Sequence, residues 1–343
     1  MRSGILESVR VLTTSRRLFA TVAALAMAAA LALACNDAAG PEVAANIEPA
    51  AQGITEQEMR EWIARISDDS TRGRLTPSPE LDEAANVLEG YLAGLGLRPL
   101  FDAGFQQRFP RGAGTGPNVA ALLPGRDSAL RDEFVVVVAH LDHKGIAAVP
   151  VDGDSVLNGA DDNASGVAAV LELAQAFVAV GSAPRRSVVF LLVSGEEGGL
   201  TGSRYFVASY SAQLSRFAGA LNFDMISRNA PDSLYVGGLS ASTMGDLVQT
   251  ALGDHPALGL SLVDIRSGGS DHLAFWERGI PFLMFHSGLH PDYHKVSDEV
   301  ETVDAEKAAR VARLGFYAAW AVAEADTRPT WKPGWPQRMV AAP

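Results

Sequence analysis

Two runs of apolar, mostly β-branched residues constrain the fold more than any other feature of this sequence. Residues 134–139 (FVVVVA) and 187–193 (SVVFLLV) contain no charged side chain. Such runs are typical of strands buried on both faces, because a strand with one solvent-facing side alternates apolar and polar residues. Helical patterns occur between and after such runs, at residues 164–180, 200–210, 241–252 and 303–323. Alternating strands and helices of this kind predict a three-layer α/β domain.

Metal-binding side chains follow several of these runs. The candidates are His140, Asp162, Glu196 with its neighbour Glu197, Asp224 and His294. Imidazole and carboxylate ligands without cysteine favour Zn²⁺, with Mn²⁺ and Co²⁺ as further options. One metal needs three or four protein ligands. Five ligand-bearing segments therefore predict two metals that share a bridging carboxylate, as in two-metal hydrolytic sites.

The expected positions of these residues explain how distant segments form one site. In open α/β sheets, ligands bind outside the carboxyl ends of the strands. His140 follows the first apolar run, Glu196 and Glu197 follow the second, and Asp224 follows a third. Asp162 instead lies where a loop enters a predicted helix. We expect the strand ends to aim these side chains at one point.

Composition and charge limit the partners of the protein. The chain has 343 residues, of which 48% are hydrophobic, and a formal net charge of −12. An acidic surface argues against nucleic acid and anionic lipid as partners. The sequence carries no signal for the oligomeric state. The predicted organisation is an export segment (1–35), a flexible tether (36–53), one globular domain (54–325) and a Pro- and Trp-containing tail (326–343).

The predicted export segment has the pattern of a bacterial signal sequence. Arg16 and Arg17 precede an Ala- and Leu-rich stretch, residues 18–34, that is short for a membrane-spanning helix. Cys35, the only cysteine, ends a lipobox-like sequence, which favours lipidation of Cys35 over simple cleavage before it. The paired arginines also resemble a twin-arginine motif, although ordinary export signals carry such pairs as well. We therefore expect an exported protein, either anchored through a lipid on Cys35 or periplasmic or secreted.

Six short stretches occur in an order that is more specific than any one of them. They are residues 139–142 (AHLD), 158–166 (NGADDNASG), 195–203 (GEEGGLTGS), 222–225 (NFDM), 270–272 (SDH) and 293–294 (YH). Together they resemble the M28 family of zinc peptidases, which includes bacterial aminopeptidases. The resemblance covers residues 72–298. It implies a zinc-exopeptidase-like α/β/α domain with a mixed, mostly parallel central sheet.

The resemblance implies a role for each metal-binding residue. His140 and Asp224 would bind one metal, and Glu197 and His294 would bind the other. Asp162 would bridge the two. Two zinc ions per chain are therefore expected.

Further residues are expected to act beside the metals. The resemblance implies that Glu196 is the general base, which takes a proton from the metal-bridging water. Asp142 lies on the same side of an extended strand as the preceding histidine ligand and is expected to accept its second ring N–H. Asp298 is expected to do the same for His294. Tyr293 resembles a family tyrosine that helps to hold the developing oxyanion.

Some neighbouring polar residues are predicted to be structural. Asp161 is expected to cap the following helix, and His272 to pack at the start of another. Glu172 is expected to lie on a solvated helix face. His143 is equally consistent with a role in the site and with an ordinary loop position.

These features favour a metal-dependent exopeptidase that acts on peptides, most simply an aminopeptidase. Such an enzyme needs an acidic group for the free amine of its substrate, which Glu196 or Glu197 can supply. A glutaminyl cyclase-like acyltransferase is an alternative that shares the fold but works with a single zinc. A carboxypeptidase is another, and would need a cation for the substrate carboxylate, for which Lys295, Arg204 and Arg228 are candidates. A binding domain without activity is disfavoured, because such relatives typically lose metal ligands.

Overall fold

The computed structural model describes residues 46–266 and 269–335. The predicted export segment with Cys35, most of the predicted tether and the last residues of the predicted tail lie outside the described residues. The helices are α1 (Glu48–Gln52), α2 (Glu56–Ile66), α3 (Pro79–Gly94), α4 (Gly166–Ala179), α5 (Thr201–Ser209), α6 (Thr243–Asp254), α7 (His272–Trp276) and α8 (Ala305–Glu324). The strands are β1 (Arg98–Pro99), β2 (Gln106–Arg111), β3 (Gly114–Leu123), β4 (Phe134–His140), β5 (Ile146–Val151), β6 (Asp154–Val156), β7 (Ser187–Val193), β8 (Phe217–Phe223), β9 (Ser233–Gly237), β10 (Ser261–Ile265) and β11 (Phe282–His286).

Nine of the described strands form one mixed sheet. Their order is β1-β3-β7-β4-β8-β11-β9-β10, and β2 pairs with β3. The four central strands, β7, β4, β8 and β11, run parallel to one another. By contrast, β3 joins β7 and β9 joins β11 in antiparallel pairs. The predicted α/β fold with a mixed central sheet is confirmed, and its parallel centre brings four carboxyl ends to one edge.

The central strands are buried on both faces, which accounts for their lack of polar residues. Along β4, Val135 and Val137 pack into one core cluster with α4 and α8, while Val136 and Val138 pack into a second cluster with α5 and α7. All four side chains are fully buried. Burial of each valine contributes about 1.5–3 kcal/mol relative to exposure. The helices therefore cover both faces of the sheet and leave the strand ends accessible.

The N-terminal boundary of the domain differs from the prediction. The sequence predicts a flexible tether over residues 36–53, but α1 lies within that range and buries Ala50 and Ala51. Alanine favours helix formation, and Pro49 is tolerated in the first turn because its missing N–H has no partner there. The compact unit therefore begins at Asn46 rather than at residue 54.

Two hairpins were not predicted from the sequence. The β2–β3 hairpin contains Pro110 and Pro117, and proline argues against a strand because it cannot donate a ladder hydrogen bond. It forms because β3 pairs with β7 at the side of the central sheet. The β5–β6 hairpin is largely exposed and exposes Val149 and Val151. No strand was predicted in either stretch.

The described part of the C-terminal tail packs against the domain. Trp331 donates its indole N–H to the carbonyl oxygen of Gly279 (2.9 Å) and contacts the ring of Phe282. Within residues 46–266 and 269–335, no helix is long and apolar enough to cross a membrane.

Glu172 corrects the prediction of a solvated helix face. It lies in α4, is 1% exposed, and neither carboxylate oxygen has a hydrogen-bond partner among the described residues. Burial and the nearby Glu58 raise the pKa of Glu172 to about 8. Helix α4 is apolar on nearly all sides because it packs against the sheet, α2 and α8. A single charged residue in such a helix is therefore not evidence of exposure.

The Glu172→Gln variant is expected to lose part of the pH dependence of stability. The folded-state pKa is about 8 against an ordinary value of 4.5, so the unfolded chain releases its proton first as the pH rises. Stability contributed by the neutral carboxyl is therefore lost between these two values. The loss amounts to a few kcal/mol, since one pKa unit corresponds to about 1.4 kcal/mol. Melting temperatures at pH 5 and pH 8.5 should differ less for this variant than for the unchanged protein.

A matched control is Glu83→Gln, which makes the same chemical change at an exposed position of α3. This control should melt like the unchanged protein at both pH values. An equal pH dependence in Glu172→Gln and the unchanged protein would show that Glu172 titrates normally in the folded state.

Candidate metal centre

Parallel strands bring three candidate ligands to one edge of the sheet. His140 is the last residue of β4, and Asp224 follows β8 directly. The pairing of Val138 with Asn222 aligns these two strand ends. Glu197 lies in the loop after β7, which turns at Gly195 with a φ of 74°. A Cβ at Gly195 would collide with the side chain of Thr201, so this turn requires glycine.

A buried irregular turn, Ala160–Ser165, presents Asp162 to the same edge. The carboxylate of Asp298 accepts the backbone N–H groups of Asp161 (3.0 Å) and Asp162 (3.1 Å). This corrects the expectation that Asp298 orients His294. The backbone of the turn lacks regular helical partners, and a buried carboxylate supplies them. Asp298 thus fixes the position of Asp162.

The first set of ligands consists of His140, Asp162 and Asp224. The Nε2 atom of His140 lies 3.4 Å from Oδ1 of Asp162 and 3.5 Å from Oδ1 of Asp224. All three residues are buried. These three ligand atoms are close enough to share one metal ion.

The second set consists of Glu197, His294 and His143, together with the other oxygen of Asp162. The Nε2 atom of His294 lies 3.1 Å from Oδ2 of Asp162 and 3.2 Å from Oε1 of Glu197. The Nδ1 atom of His143 lies 2.9 Å from the same Glu197 oxygen and 3.7 Å from Oδ2 of Asp162. His143, Asp162 and Glu197 form a second group with metal-binding spacing. The structure therefore places His143 within the site.

The ligand atoms fit zinc in spacing and chemistry. Atoms bonded to one tetrahedral zinc at about 2.0–2.1 Å are roughly 3.3 Å apart. The separations of His140 and His294 from the carboxylates, 3.1–3.5 Å, match this value, and those of His143 are 2.9 and 3.7 Å. Several of these atoms are buried and lack a hydrogen-bond partner among the described residues. They are Nε2 of His294, both ring nitrogens of His143 and Oε1 of Glu197. Buried polar atoms without partners are costly, and a cation would satisfy them.

The profile of peptidase family M28 matches residues 118–319, which is more than half of the chain. The chain belongs to peptidase family M28. The matched range contains all five predicted metal ligands and Glu196. The resemblance to this zinc peptidase family is therefore confirmed.

This M28 member is similar in sequence or in fold to the following proteins. Leupeptin-inactivating enzyme 1 of Streptomyces exfoliatus is 30% identical over 300 residues, covering 84% of this chain and 62% of that protein. Aminopeptidase YwaD of Bacillus subtilis is 29% identical over 204 residues, covering 55% of this chain and 44% of that protein. The chain thus spans less than two thirds of the length of these relatives. The Legionella pneumophila LapA aminopeptidase has a similar fold, with a TM-score of 0.67 and 19% identity over 81% of this chain and 74% of that chain.

The adjacent residues Glu196 and Glu197 of this M28 member have opposite pKa shifts. Burial raises the pKa of Glu196 to about 9; His140 opposes the shift and carboxylates such as Asp271 add to it. Burial also acts to raise the pKa of Glu197. His143 and His294, which both lie close to its carboxylate, have the larger opposite effect and hold the pKa of Glu197 well below its usual range. Divergent pKa values in adjacent groups are typical of acid–base sites. Glu197 is thus suited to remain an anionic ligand, and Glu196 to carry a proton.

Asp142 orients its neighbours through different atoms from those predicted. Its carbonyl oxygen, not its carboxylate, lies 3.1 Å from Nδ1 of His140. The carboxylate oxygen Oδ1 is 3.9 Å from that nitrogen and accepts the backbone N–H of Glu196 instead (3.2 Å). A ring N–H that donates to the carbonyl leaves Nε2 of His140 available for metal. Asp142 therefore connects the first ligand set to the loop that carries Glu196.

Tyr293 lies beside the second ligand set. Its ring stacks on His294 with the centroids 3.7 Å apart. Burial, together with Asp162 and Glu197, raises the pKa of Tyr293 above its ordinary value. The phenol therefore keeps its proton at neutral pH and is available as a hydrogen-bond donor.

Arg74 supports the site from behind and was not predicted. Its fully buried guanidinium donates to the carbonyl oxygens of Leu141 (2.9 Å), Asn158 (2.8 Å) and Gly159 (3.2 Å). Burial lowers the pKa of Arg74 to about 10, which leaves it charged at neutral pH. Arg74 therefore connects the residue after β4 to the segment that leads into the turn with Asp162, the candidate bridging ligand. In the sequence it lies in a loop far from every motif, so no local signal marked it.

Two residues near the site have structural roles. The carboxylate of Asp161 accepts hydrogen bonds from the backbone N–H (2.8 Å) and hydroxyl (2.6 Å) of Ser227, so it links two loops rather than capping the helix as predicted. His272 is buried against Phe282, and burial lowers its pKa to about 4. Its role as a packing residue agrees with the prediction.

Proposed function

We propose that this protein is a metal-dependent exopeptidase, specifically an aminopeptidase, with two zinc ions and Glu196 as general base. One observation carries the proposal. The two carboxylate oxygens of Asp162 point to different ligand sets, Oδ1 to His140 (3.4 Å) and Oδ2 to His294 (3.1 Å). A carboxylate placed in this way is suited to bridge two metal ions, which supports the proposal of a two-metal hydrolytic site.

The residues around the two sets supply the remaining chemistry. Bound zinc would provide Lewis-acid chemistry and lower the pKa of water in the site. The cations would also lower the raised pKa of Glu196, because a nearby opposite charge favours the ionised form. Glu196 then takes a proton from the attacking water and returns it to the leaving amine. The protonated phenol of Tyr293 donates a hydrogen bond to the oxygen on which charge develops.

The preference for an aminopeptidase rests on charge and on relatives. The site contains several carboxylates, and a carboxylate is the group that binds the free amine of a peptide. Two relatives of this chain, YwaD of Bacillus subtilis and LapA of Legionella pneumophila, are named as aminopeptidases.

The alternatives are less well supported by the geometry. A cyclase with one zinc does not need a second set of ligands around His294. Of the cations considered for a carboxypeptidase, Arg204 is paired with Glu277 and Arg228 is paired with Asp292. Lys295 has no ion pair among the described residues, but it does not line the cavity that contains Glu197.

The purified protein is expected to contain about two zinc ions per chain and to release amino acids from aminoacyl amides. It should not act on the same substrates after N-acetylation, because acetylation removes the free amine. A chelator should abolish the activity, and added zinc should restore it. Elemental analysis and an amino acid release assay measure these quantities. One zinc per chain with no hydrolysis would favour the cyclase, and cleavage only of N-blocked peptides that keep a free C-terminus would favour the carboxypeptidase.

A further inference from the structure

A small cavity adjoins the second ligand set. Its volume is about 150 Å³, and its walls include Arg111, Asp142, Lys144, Glu197 and Gly198. Because Glu197 belongs both to this cavity and to the ligand set, a group bound in the cavity lies next to the metal centre. Neither of its two cations was predicted to have a role.

Arg111 reaches the cavity from the unpredicted β2–β3 hairpin. It is the last residue of β2, and its guanidinium lies directly over Gly198. A Cβ on Gly198 would overlap that guanidinium, so a residue with a side chain there would displace it. Arg111 is partly buried. Its backbone pairs with Gly114 in the hairpin, but its guanidinium has neither an ion pair nor a hydrogen bond among the described residues. Its charge is therefore available to a ligand.

Lys144 provides the second cation. Its ammonium nitrogen lies 2.9 Å from Oε2 of Glu197, and its side chain is 36% exposed. The other oxygen of Glu197, Oε1, faces His143 and His294. Lys144 thus lines the cavity together with a candidate metal ligand, and part of its surface is open.

The carboxylates in the cavity wall already have partners. Asp142 accepts the backbone N–H of Glu196 (3.2 Å), and Oε2 of Glu197 is paired with Lys144 (2.9 Å), while its Oε1 belongs to the second ligand set. The guanidinium of Arg111 is the charge in this wall that lacks a partner. The protein has a net charge of −12, so an unpaired positive charge beside the candidate metal centre is unusual for its surface. Such a charge favours binding of an anion at this place.

We propose that this cavity is a subsite for a carboxylate of the substrate, bound by Arg111 with Lys144 beside it. Guanidinium binds carboxylate through two parallel hydrogen bonds, which fixes both position and orientation. The inference rests on the proposed peptidase function and specifies its substrate class as peptides with a carboxylate close to the scissile bond. That carboxylate belongs either to the C-terminus of a dipeptide or to an acidic side chain after the scissile bond.

Two matched pairs of substrates distinguish these sources. The first pair is Leu-Ala and its C-terminal amide, and the second is Leu-Asp amide and Leu-Asn amide. The protein is expected to prefer the carboxylate member of at least one pair by about tenfold or more in kcat/KM, since a charged hydrogen bond contributes that much. Arg111→Met should reduce this preference about tenfold, and Arg111→Lys should retain part of it. Preference in the first pair assigns the subsite to a C-terminus, and preference in the second assigns it to an acidic side chain.

Arg108→Met is the matched control. It makes the same change on the same strand, where Arg108 pairs with Asp82 outside the cavity, and it should leave both ratios unchanged. Equal kcat/KM within both pairs would overturn the subsite while leaving the peptidase function intact. An equal loss on all four substrates in Arg111→Met would overturn it as well. Failure of the unchanged protein to cleave any of the four would instead overturn the proposed aminopeptidase function, and the subsite with it.

Discussion

Replacement of Glu196 by Gln is expected to lower kcat by about 10²–10⁴-fold while the zinc content remains that of the unchanged protein. Glutamine has nearly the same shape but cannot take a proton from water at neutral pH. Glu196 is not part of either metal-binding group, and its backbone position is set by the hydrogen bond to Asp142. The variant should therefore fold and bind metal normally. Steady-state kinetics and elemental analysis on the same preparation measure the two effects.

The adjacent residue offers a control with the opposite outcome. Glu197→Gln makes the same chemical change one position later, but Oε1 of Glu197 lies 3.2 Å from Nε2 of His294 in the second ligand set. This variant should lose zinc as well as activity. Loss of zinc from Glu196→Gln, or full retention of zinc by Glu197→Gln, would show that the two roles have been assigned to the wrong residues.

Replacement of Asp162 by Asn is expected to remove most of both zinc ions. The variant loses a negative charge and replaces one oxygen with an amide nitrogen that is not a zinc ligand. Because Oδ1 and Oδ2 serve different ligand sets, one substitution affects both sites. Activity should fall at least as far as in Glu196→Gln. The zinc content per chain, measured after dialysis, is the decisive quantity.

Asp224→Asn is the appropriate comparison, because Asp224 contacts only the first ligand set. It should retain about one zinc per chain, whereas Asp162→Asn should retain less. Equal zinc contents in the two variants would contradict the bridging role of Asp162. A second control is the melting temperature, which separates loss of metal from loss of the fold.

Much of the fold followed from local pattern. The central strands β4 and β7 were predicted within one residue, because strands buried on both faces carry continuous apolar runs. The hairpin β2–β3 was not predicted, because its prolines and glycines resemble loop signals. Its strand β3 is stabilised by pairing with β7, a contact between residues about seventy positions apart. Such pairing leaves no trace in a short sequence window.

In the candidate site, too, some residues were predicted from local sequence and others were identified only in the structure. Residues such as Asp162 and Glu197 were predicted because each lies in a distinctive short motif after an apolar run or before a helix. His143 was left undecided, although it is three residues after His140. Whether His143 belongs to the site depends on the path of the loop after β4. In the structure this loop brings Nδ1 of His143 to 2.9 Å from Oε1 of Glu197. Arg74 and Arg111 reach the site from loops and hairpins without motifs.

The sequence by itself determined which side chains are available for metal chemistry, because ligand chemistry depends on residue type and strand-end position. Only the tertiary structure decided which atoms meet. It assigned the carbonyl of Asp142, not its carboxylate, to His140, and it directed Asp298 to the backbone of the turn at Asp162. The physical reason is that each buried donor must find an acceptor in three dimensions, and that choice depends on packing between segments far apart in the chain.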